Sequence, residues 1–416
     1  MSNFARHDDK ANKGSDALVA GPWSPLRVRV YRALWIAALV SNVGTFMHIA
    51  AAGWAMTSLT DSPTLVGLVQ TSWAVPGFLL ALHSGAFADI IDRRNLITIT
   101  QIAALLIAAA LAVLVWADQL SVNSLLAGTF LESVALTLAA PAFMALTPQL
   151  VDAKILPQAL GLDSVSRNIA QTVGPALAGV LIATFDPGAV FMLNAVSYVG
   201  IVIVVRRYRP AVTHAKRPTG VNRAIYEGLV HVAKSKSLRN IAVRLTLVMT
   251  GSAALMAMIP VVAKSSLGVS ASGFGVMSGA LGVGAVLAVW GLPALLSRLS
   301  IETVALWSAL VWSGGTVIFA NTNSLSVAVA ALLVCGASGM GMMYVLFSSF
   351  MLQLPNLLRG RGSSLAMLMV WLGASVGAVG WGLASSAYGV GAALTATAAV
   401  NVAIAIVSRV ALRVNG

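Results

Sequence analysis

Long apolar runs separated by short polar breaks fill most of this chain. They fall at roughly 33–57, 64–87, 96–116, 123–147, 160–184, 187–205, 241–263, 272–296, 302–320, 325–351, 363–386 and 389–411. A helix needs about 20 apolar residues to cross a bilayer core. The pattern therefore predicts an all-α polytopic membrane protein with twelve transmembrane helices. Runs four, five and eleven contain polar residues, so counts of eleven or thirteen also fit the pattern. Composition agrees: 58% of residues are hydrophobic and 9% charged, against about 25% charged in soluble domains.

The longest polar segment, 206–240, divides the runs six and six. This gives a cytoplasmic tail over 1–32, a first half over 33–205, a linker over 206–240, a second half over 241–411 and a short tail over 412–416. Within the linker, Ile225, Leu229, Val230 and Val232 form a weak apolar stripe, as in an amphipathic helix lying on the inner membrane surface. The halves echo each other. Gly174 and Gly179 in run five match Gly377 and Gly382 in run eleven at an offset of 203, and Gly85 corresponds to Gly291. Two six-helix halves around a midplane site are a common transporter design.

The net charge of +13 changes meaning once it is mapped. With both termini inside, 24 of the 26 Lys and Arg residues lie on the inner side. Lys264 falls outside and Arg167 falls within a run. This is the positive-inside asymmetry of a membrane protein, not a nucleic-acid-binding surface. The single cysteine, Cys335, offers no disulfide framework. A cleaved signal peptide is not expected, because the first 30 residues hold no short apolar core. No nucleotide loop, metal-ligand spacing or Ser/His/Asp arrangement stands out, so neither an enzyme nor a cofactor is expected.

The turn Gly85-Ala86-Phe87-Ala88-Asp89-Ile90-Ile91-Asp92-Arg93-Arg94 follows run two. Such a short charged turn forces runs two and three into an antiparallel pair. Asp89 can accept hydrogen bonds from a helix N-terminus, and Arg93 and Arg94 can reach carboxylates or the carbonyl ends of facing helices. Through this Gly-x-x-x-Asp-x-x-x-Arg-Arg pattern the chain resembles the major facilitator superfamily. It is more narrowly similar to the transmembrane secretion effectors, a branch that includes siderophore and macrolide exporters. The resemblance runs through Ser41-Asn42-Val43-Gly44-Thr45-Phe46-Met47, Leu59-Thr60-Asp61-Ser62-Pro63, Pro148-Gln149-Leu150-Val151, Gly174-Pro175-Ala176-Leu177-Ala178-Gly179 and Arg359-Gly360-Arg361.

The resemblance implies a bacterial inner-membrane exporter driven by an ion gradient, usually of protons, that works by alternating access. It makes Gly85, Asp89, Asp92, Arg93 and Arg94 a latch whose partner is run eleven; the alternative is a turn that only sets topology. It also makes Gly174, Pro175 and Gly179 similar to the antiporter motif of drug/proton exporters. On physical grounds alone the same run is a proline kink flanked by close helix packing.

Ionisable residues within a span are costly and face a partner or a cavity. At 1.5 Å per residue, Glu132 and Arg167 both sit about 15–17 Å deep. Asp163 is one turn from Arg167. Where the family mostly has apolar residues at 132 and 167, Asn at 163 and often Arg at 171, this chain has Glu132, Arg167, Asp163 and Gln171. Arg167 is expected to pair with Glu132, Asp163 or both. One acid would then carry the transported proton, or the pair would be a static tie between spans four and five. His48, in the middle of span one, reads either as a packing histidine or as a cavity-facing proton site. The expected partners are a small-molecule substrate, protons and the lipid bilayer, with the chain acting as a monomer. A siderophore is the leading substrate. A multidrug or macrolide efflux antiporter is the alternative, and an uptake permease is a third reading.

Overall fold

The computed structural model describes residues 21–90, 92–207, 232, 234–354 and 359–411, with backbone alone at 81–90, 359–364 and 410–411. Among the described residues there are long helices and no strands. We number them α1 (Arg29–Leu59), α2 (Pro63–Ile90), α3 (Arg93–Trp116), α4 (Val122–Leu150), α5 (Leu156–Thr184), α6 (Pro187–Arg207), α7 (Lys236–Val261), α8 (Ala271–Leu296), α9 (Ile301–Asn321), α10 (Leu325–Leu352), α11 (Arg359–Tyr388) and α12 (Val390–Ala411). Eleven of the twelve are long and apolar enough to cross a membrane. The exception is α5, which holds Asp163, Arg167, Asn168, Gln171 and Thr172. Its polarity has a structural cause described below.

The helices start where local chemistry can satisfy their first N–H groups. Asp92 accepts from the Asn95 amide at 3.0 Å to open α3, Ser121 forms a capping box with Ser124 at α4, and Ser300 accepts from the Thr303 amide at α9. Two boundaries differ from the sequence expectation. Helix α1 begins at Arg29, inside the segment assigned to the tail. Helix α7 begins at Lys236, inside the segment assigned to the linker, where Ser235 caps it and Leu238 and Ile241 are buried. The amphipathic linker helix expected over 224–233 lies outside the described residues except at Val232.

Each half is built the same way. In the first, α1 packs on α5 and α6, α2 on α4, and α3 on α4 and α6; in the second, α7 packs on α11, α8 on α10, and α9 on α10 and α12. The glycine echo is the signature of this symmetry. Gly174 of α5 lies against Val43, Phe46 and Met47 of α1, as Gly377 of α11 lies against Thr250 and Ala253 of α7. Gly179 of α5 meets the backbone of α8 at Gly275, as Gly382 of α11 meets α2 at Thr64. The halves are thus joined by two crossed contacts, α5 on α8 and α2 on α11.

The two ends of the molecule differ. At the end that carries the α1–α2 turn, one continuous core draws residues from both halves, including Met56, Val66, Met258, Val262, Phe274 and Leu394. At the end that carries Arg93 and Arg94, the apolar side chains form separate cores. One, around Tyr31, Leu146 and Val205, belongs to the first half. The other, around Leu238, Leu346 and Phe350, belongs to the second. Among the described side chains the apolar core therefore crosses between the halves at the first end and stays within each half at the end with the arginines.

Candidate functional site

Glu132 is fully buried within the first half. Its Oε1 accepts from Asn194 Nδ2 and from the Tyr198 hydroxyl, each at 2.7 Å. Its Oε2 lies 3.1 Å from Nδ1 of His48, also fully buried. Because the Tyr198 hydrogen goes to Glu132, the 3.2 Å contact between Thr45 Oγ1 and the Tyr198 oxygen makes Thr45 the donor there. The His48 ring lies 4.7 Å from that of Phe191. The cluster joins α1, α4 and α6. Two donors converge on one oxygen of the carboxylate, while Oε2 and both ring nitrogens of His48 are buried without a hydrogen-bond partner among the described residues.

Asp163 occupies a different environment. It is half-buried on α5. The Thr147 hydroxyl of α4 donates to its Oδ2 at 3.2 Å. The Tyr31 hydroxyl of α1 lies 3.1 Å from its Oδ1 and 2.8 Å from the carbonyl oxygen of Ala159.

The phase of α5 explains its polarity. Ala159, Leu162, Ser166 and Gly174 meet α1, while Thr172, Ala176 and Gly179 meet α8. Two flanks remain. At 100° per residue, Ser164, Arg167, Asn168 and Gln171 fall together on one flank, and Val165, Ile169, Val173 and Val180 on the other; all eight are exposed. The apolar flank suits lipid. The polar flank does not, since Arg167 at mid-span would be costly in hydrocarbon.

The expected pairing of Arg167 with Glu132 is corrected by this packing. Helices α4 and α5 are neighbours in sequence but touch little, because α5 is taken up by α1 and α8. The side chain beside Glu132 Oε2 is His48, so the buried cluster ties α1, α4 and α6 together, and His48 is not an isolated packing residue. Among the described residues Arg167 forms no ion pair within 4.0 Å with Asp163 either, although its charge acts on Asp163 from one turn away.

The turn at 85–94 is described in part. Arg94 donates from Nε to Val205 O at 3.2 Å and from Nη2 to Arg206 O at 2.8 Å. It caps the C-terminus of α6, a favoured place for a cation, within its own half. Asp92 caps α3. Gly85 and Asp89 stand in the last turns of α2, where side-chain contacts are outside the described residues, as is the expected contact with α11. Contacts between the halves are instead described at the opposite end. Thr64 Oγ1 bonds to Ser386 Oγ at 2.7 Å and donates to Gly382 O at 3.1 Å. Lys264, in a wide turn that ends α7, donates from Nζ to Thr57 O in the last turn of α1. Pro175, between Gly174 and Gly179, sits inside α5, so this run carries one contact within the half and one between halves.

Sequence reasoning missed Asn194, Tyr198, Tyr31 and Thr147. The first two were signalled: two polar residues at i and i+4 in an otherwise apolar span share one face. Among the described residues no cluster of His, Cys, Asp or Glu could hold a metal ion.

A family model described as "transmembrane secretion effector" matches residues 20–415. An uncharacterised MFS-type transporter of Sinorhizobium fredii, y4rN, is 27% identical over 261 residues, which is 61% of this chain and 64% of that protein. The staphyloferrin A transporter of Staphylococcus aureus is 27% identical over 157 residues, 38% of this chain and 40% of its own length. The match thus spans less than two thirds of either relative. Among solved structures, a bacterial homologue of the lysosomal transporter Spinster, inward-facing and occupied, superposes with a TM-score of 0.73 at 13% identity, covering 92% of this chain and 96% of that one. A bacterial homologue of the iron transporter ferroportin, inward-facing, gives 0.67 at 17%, covering 91% and 98%. At these identities the structures establish the fold alone.

Proposed function

Because the chain belongs to the transmembrane secretion effector family of the major facilitator superfamily, we propose that it is a secondary active exporter of a small anionic molecule, a siderophore, working by proton-coupled alternating access. It acts as a monomer in the bacterial inner membrane with both termini cytoplasmic. In that orientation the arginine-bearing end is inner, and apolar cores that stay within each half at that end support an inward-facing state. Gly85, Asp89, Asp92, Arg93 and Arg94 would act as the latch when that end closes.

The observation that carries the substrate class is the distribution of charge at mid-span. Both acids are engaged by hydrogen-bond donors, Glu132 by Asn194 and Tyr198 and Asp163 by Tyr31 and Thr147. The charge left facing the space between the halves is a cation, Arg167, with Asn168 and Gln171 beside it. A guanidinium is matched to carboxylate ligands, as a carboxylate siderophore would present. The likeness to a siderophore transporter supports the same class. Export follows from the family description, and the Gly174-Pro175-Gly179 run resembles an antiporter motif.

The test is export of a carboxylate siderophore from cells lacking their own exporters, with and without an imposed proton gradient. Replacing Arg167 by Gln removes a charge-assisted contact of about 1.5–3 kcal/mol, so export is expected to fall about 10- to 100-fold, with partial rescue by Arg167→Lys. Undiminished export in Arg167→Gln overturns the anionic reading. Efflux of macrolides or lipophilic cations that survives Arg167→Gln and fails in Asp163→Asn establishes the multidrug alternative. Net accumulation of substrate inside the cells establishes an uptake permease.

A further inference from the structure

The two mid-span acids are built for different jobs, and the hydrogen-bond geometry separates them. We propose that Asp163 is the group that takes up and releases the transported proton, and that Tyr31 is the positioning residue that lets it do so without rearrangement. The proposal rests on the proton-coupled reading above and names the site for it.

The argument starts from the single hydrogen of the Tyr31 hydroxyl. Its oxygen lies 2.8 Å from Ala159 O and 3.1 Å from Asp163 Oδ1. A carbonyl oxygen only accepts, and a phenol has one hydrogen to donate. When Asp163 is ionised, the Tyr31 hydrogen points to Oδ1. When Asp163 is protonated, the new O–H on Oδ1 donates to the Tyr31 oxygen, and the Tyr31 hydrogen turns to Ala159 O. Both protonation states are satisfied with the same heavy-atom positions. The step balances: one proton arrives from water, one O–H bond forms on Oδ1, and Tyr31 keeps its hydrogen throughout. On the other oxygen, Thr147 donates to Oδ2 at 3.2 Å in either state. The titratable or charged groups facing Asp163 among the described residues are Tyr31 from α1 and Arg167 from α5 itself; α4 contributes the neutral Thr147.

Glu132 is held differently. Asn194 Nδ2 and the Tyr198 hydroxyl both donate to its Oε1, and its Oε2 lies 3.1 Å from His48 Nδ1 without a hydrogen bond. Glu132 and His48 are also fully buried, whereas a carrier must exchange with water. Asp163, half-buried and one turn from the exposed Arg167, can do so. The protonation of Asp163 is felt on three helices at once, since α1, α4 and α5 all contribute to its site.

Infrared difference spectroscopy of the full-length protein in lipid nanodiscs, titrated between acid and neutral pH without substrate, reads this directly. The expected result is one protonated-carboxyl C=O band that appears on acidification, is lost in Asp163→Asn, persists in Glu132→Gln and shifts in frequency in Tyr31→Phe. A band that survives Asp163→Asn, or that vanishes in Glu132→Gln while persisting in Asp163→Asn, overturns the assignment. So does a band unmoved by Tyr31→Phe, for the role of Tyr31. Asp163→Asn and Tyr31→Phe each keep the shape of the side chain, and melting curves of the same samples confirm folding. The readout needs no transport, so a failure of siderophore export with the band behaving as expected would reject the substrate reading and leave the proton site standing.

Discussion

The two halves share one scaffold and differ in chemistry. At the offset of 203 that aligns Gly174 with Gly377, the counterparts of Glu132, Asp163 and Arg167 in the second half are Cys335, Ala366 and Val370. The first half holds a sealed Glu132–His48 contact at mid-depth. The second half holds an ion pair nearer the end that carries Arg94, where Arg244 of α7 makes a bidentate contact with Glu302 of α9 at 2.8 and 3.0 Å. The glycine contacts are kept in both halves because backbones must touch there, whatever is transported. Ionisable groups are kept only where they are used. In a rocking transporter, one half carrying charge on its inner wall is enough, because the other need only supply the opposing surface.

The largest test of this asymmetry sets the two carboxylates against each other. Replacing Glu132 by Ala leaves the fully buried Asn194 and Tyr198 donors without their acceptor. Two buried donors left unsatisfied cost about 3–5 kcal/mol together. Replacing Glu302 by Ala strands Arg244, whose side chain is 6% exposed, but Glu302 is 24% exposed and its removal opens the guanidinium to solvent, so the loss is smaller, about 2 kcal/mol. Thermal unfolding of the purified variants in the same detergent compares them. Equal losses would mean that the carboxylates are equivalent and the halves are not specialised.

A smaller effect tests the shared scaffold. A Cβ on Gly179 would fall on the backbone of Gly275, whereas one on Gly382 would sit 3.2 Å from Thr64 Cα. Backbone cannot yield as a side chain does, so Gly179→Ala is expected to cost about 1–3 kcal/mol. For Gly382→Ala the cost should stay below about 1 kcal/mol, as a few tenths of an ångström of helix shift relieves it. Matched losses in melting temperature would show that the α5–α8 and α2–α11 seams are equally tight.

How much of this was legible in the sequence follows from what each feature depends on. Helix number, the two halves and the paired glycines were readable because they depend on local apolar length and on repetition along the chain. The polarity of α5 was visible, though the flank that bears Arg167 was not, because that flank is defined only once α1 and α8 take the other faces. The partner of Glu132 was misassigned for the same reason. Helices adjacent in sequence need not pack, and the carboxylate turned to α1 and α6. Tyr31 lay in a segment read as tail, so its reach to Asp163 could not be seen. Arg94 was rightly expected to seek a helix C-terminus. That the terminus is α6 of its own half is a matter of three-dimensional neighbourhood.

The smallest expected effect concerns the outer end, and it sharpens the contrast between the two cations that cap helices. Arg94 ties α3 to α6 inside one half, so it moves with that half in any rocking motion. Lys264 belongs to α7 and reaches Thr57 O and Ser58 Oγ of α1, so it crosses between halves and must let go when the outer end opens. A cation at a helix C-terminus contributes about 0.3–1 kcal/mol. Replacing Lys264 by Met should therefore shift the equilibrium away from the inward-facing state by about two- to fivefold. The natural cysteine, Cys335, is buried, and a Cys335→Ser background removes it as a reporter. In that background, a cysteine placed by Gln171→Cys reports access from the inner side. Its labelling rate should fall by that factor in Lys264→Met and stay unchanged when Arg94 is replaced by Met. A fall caused by the Arg94 variant instead would move the working latch back to the inner turn.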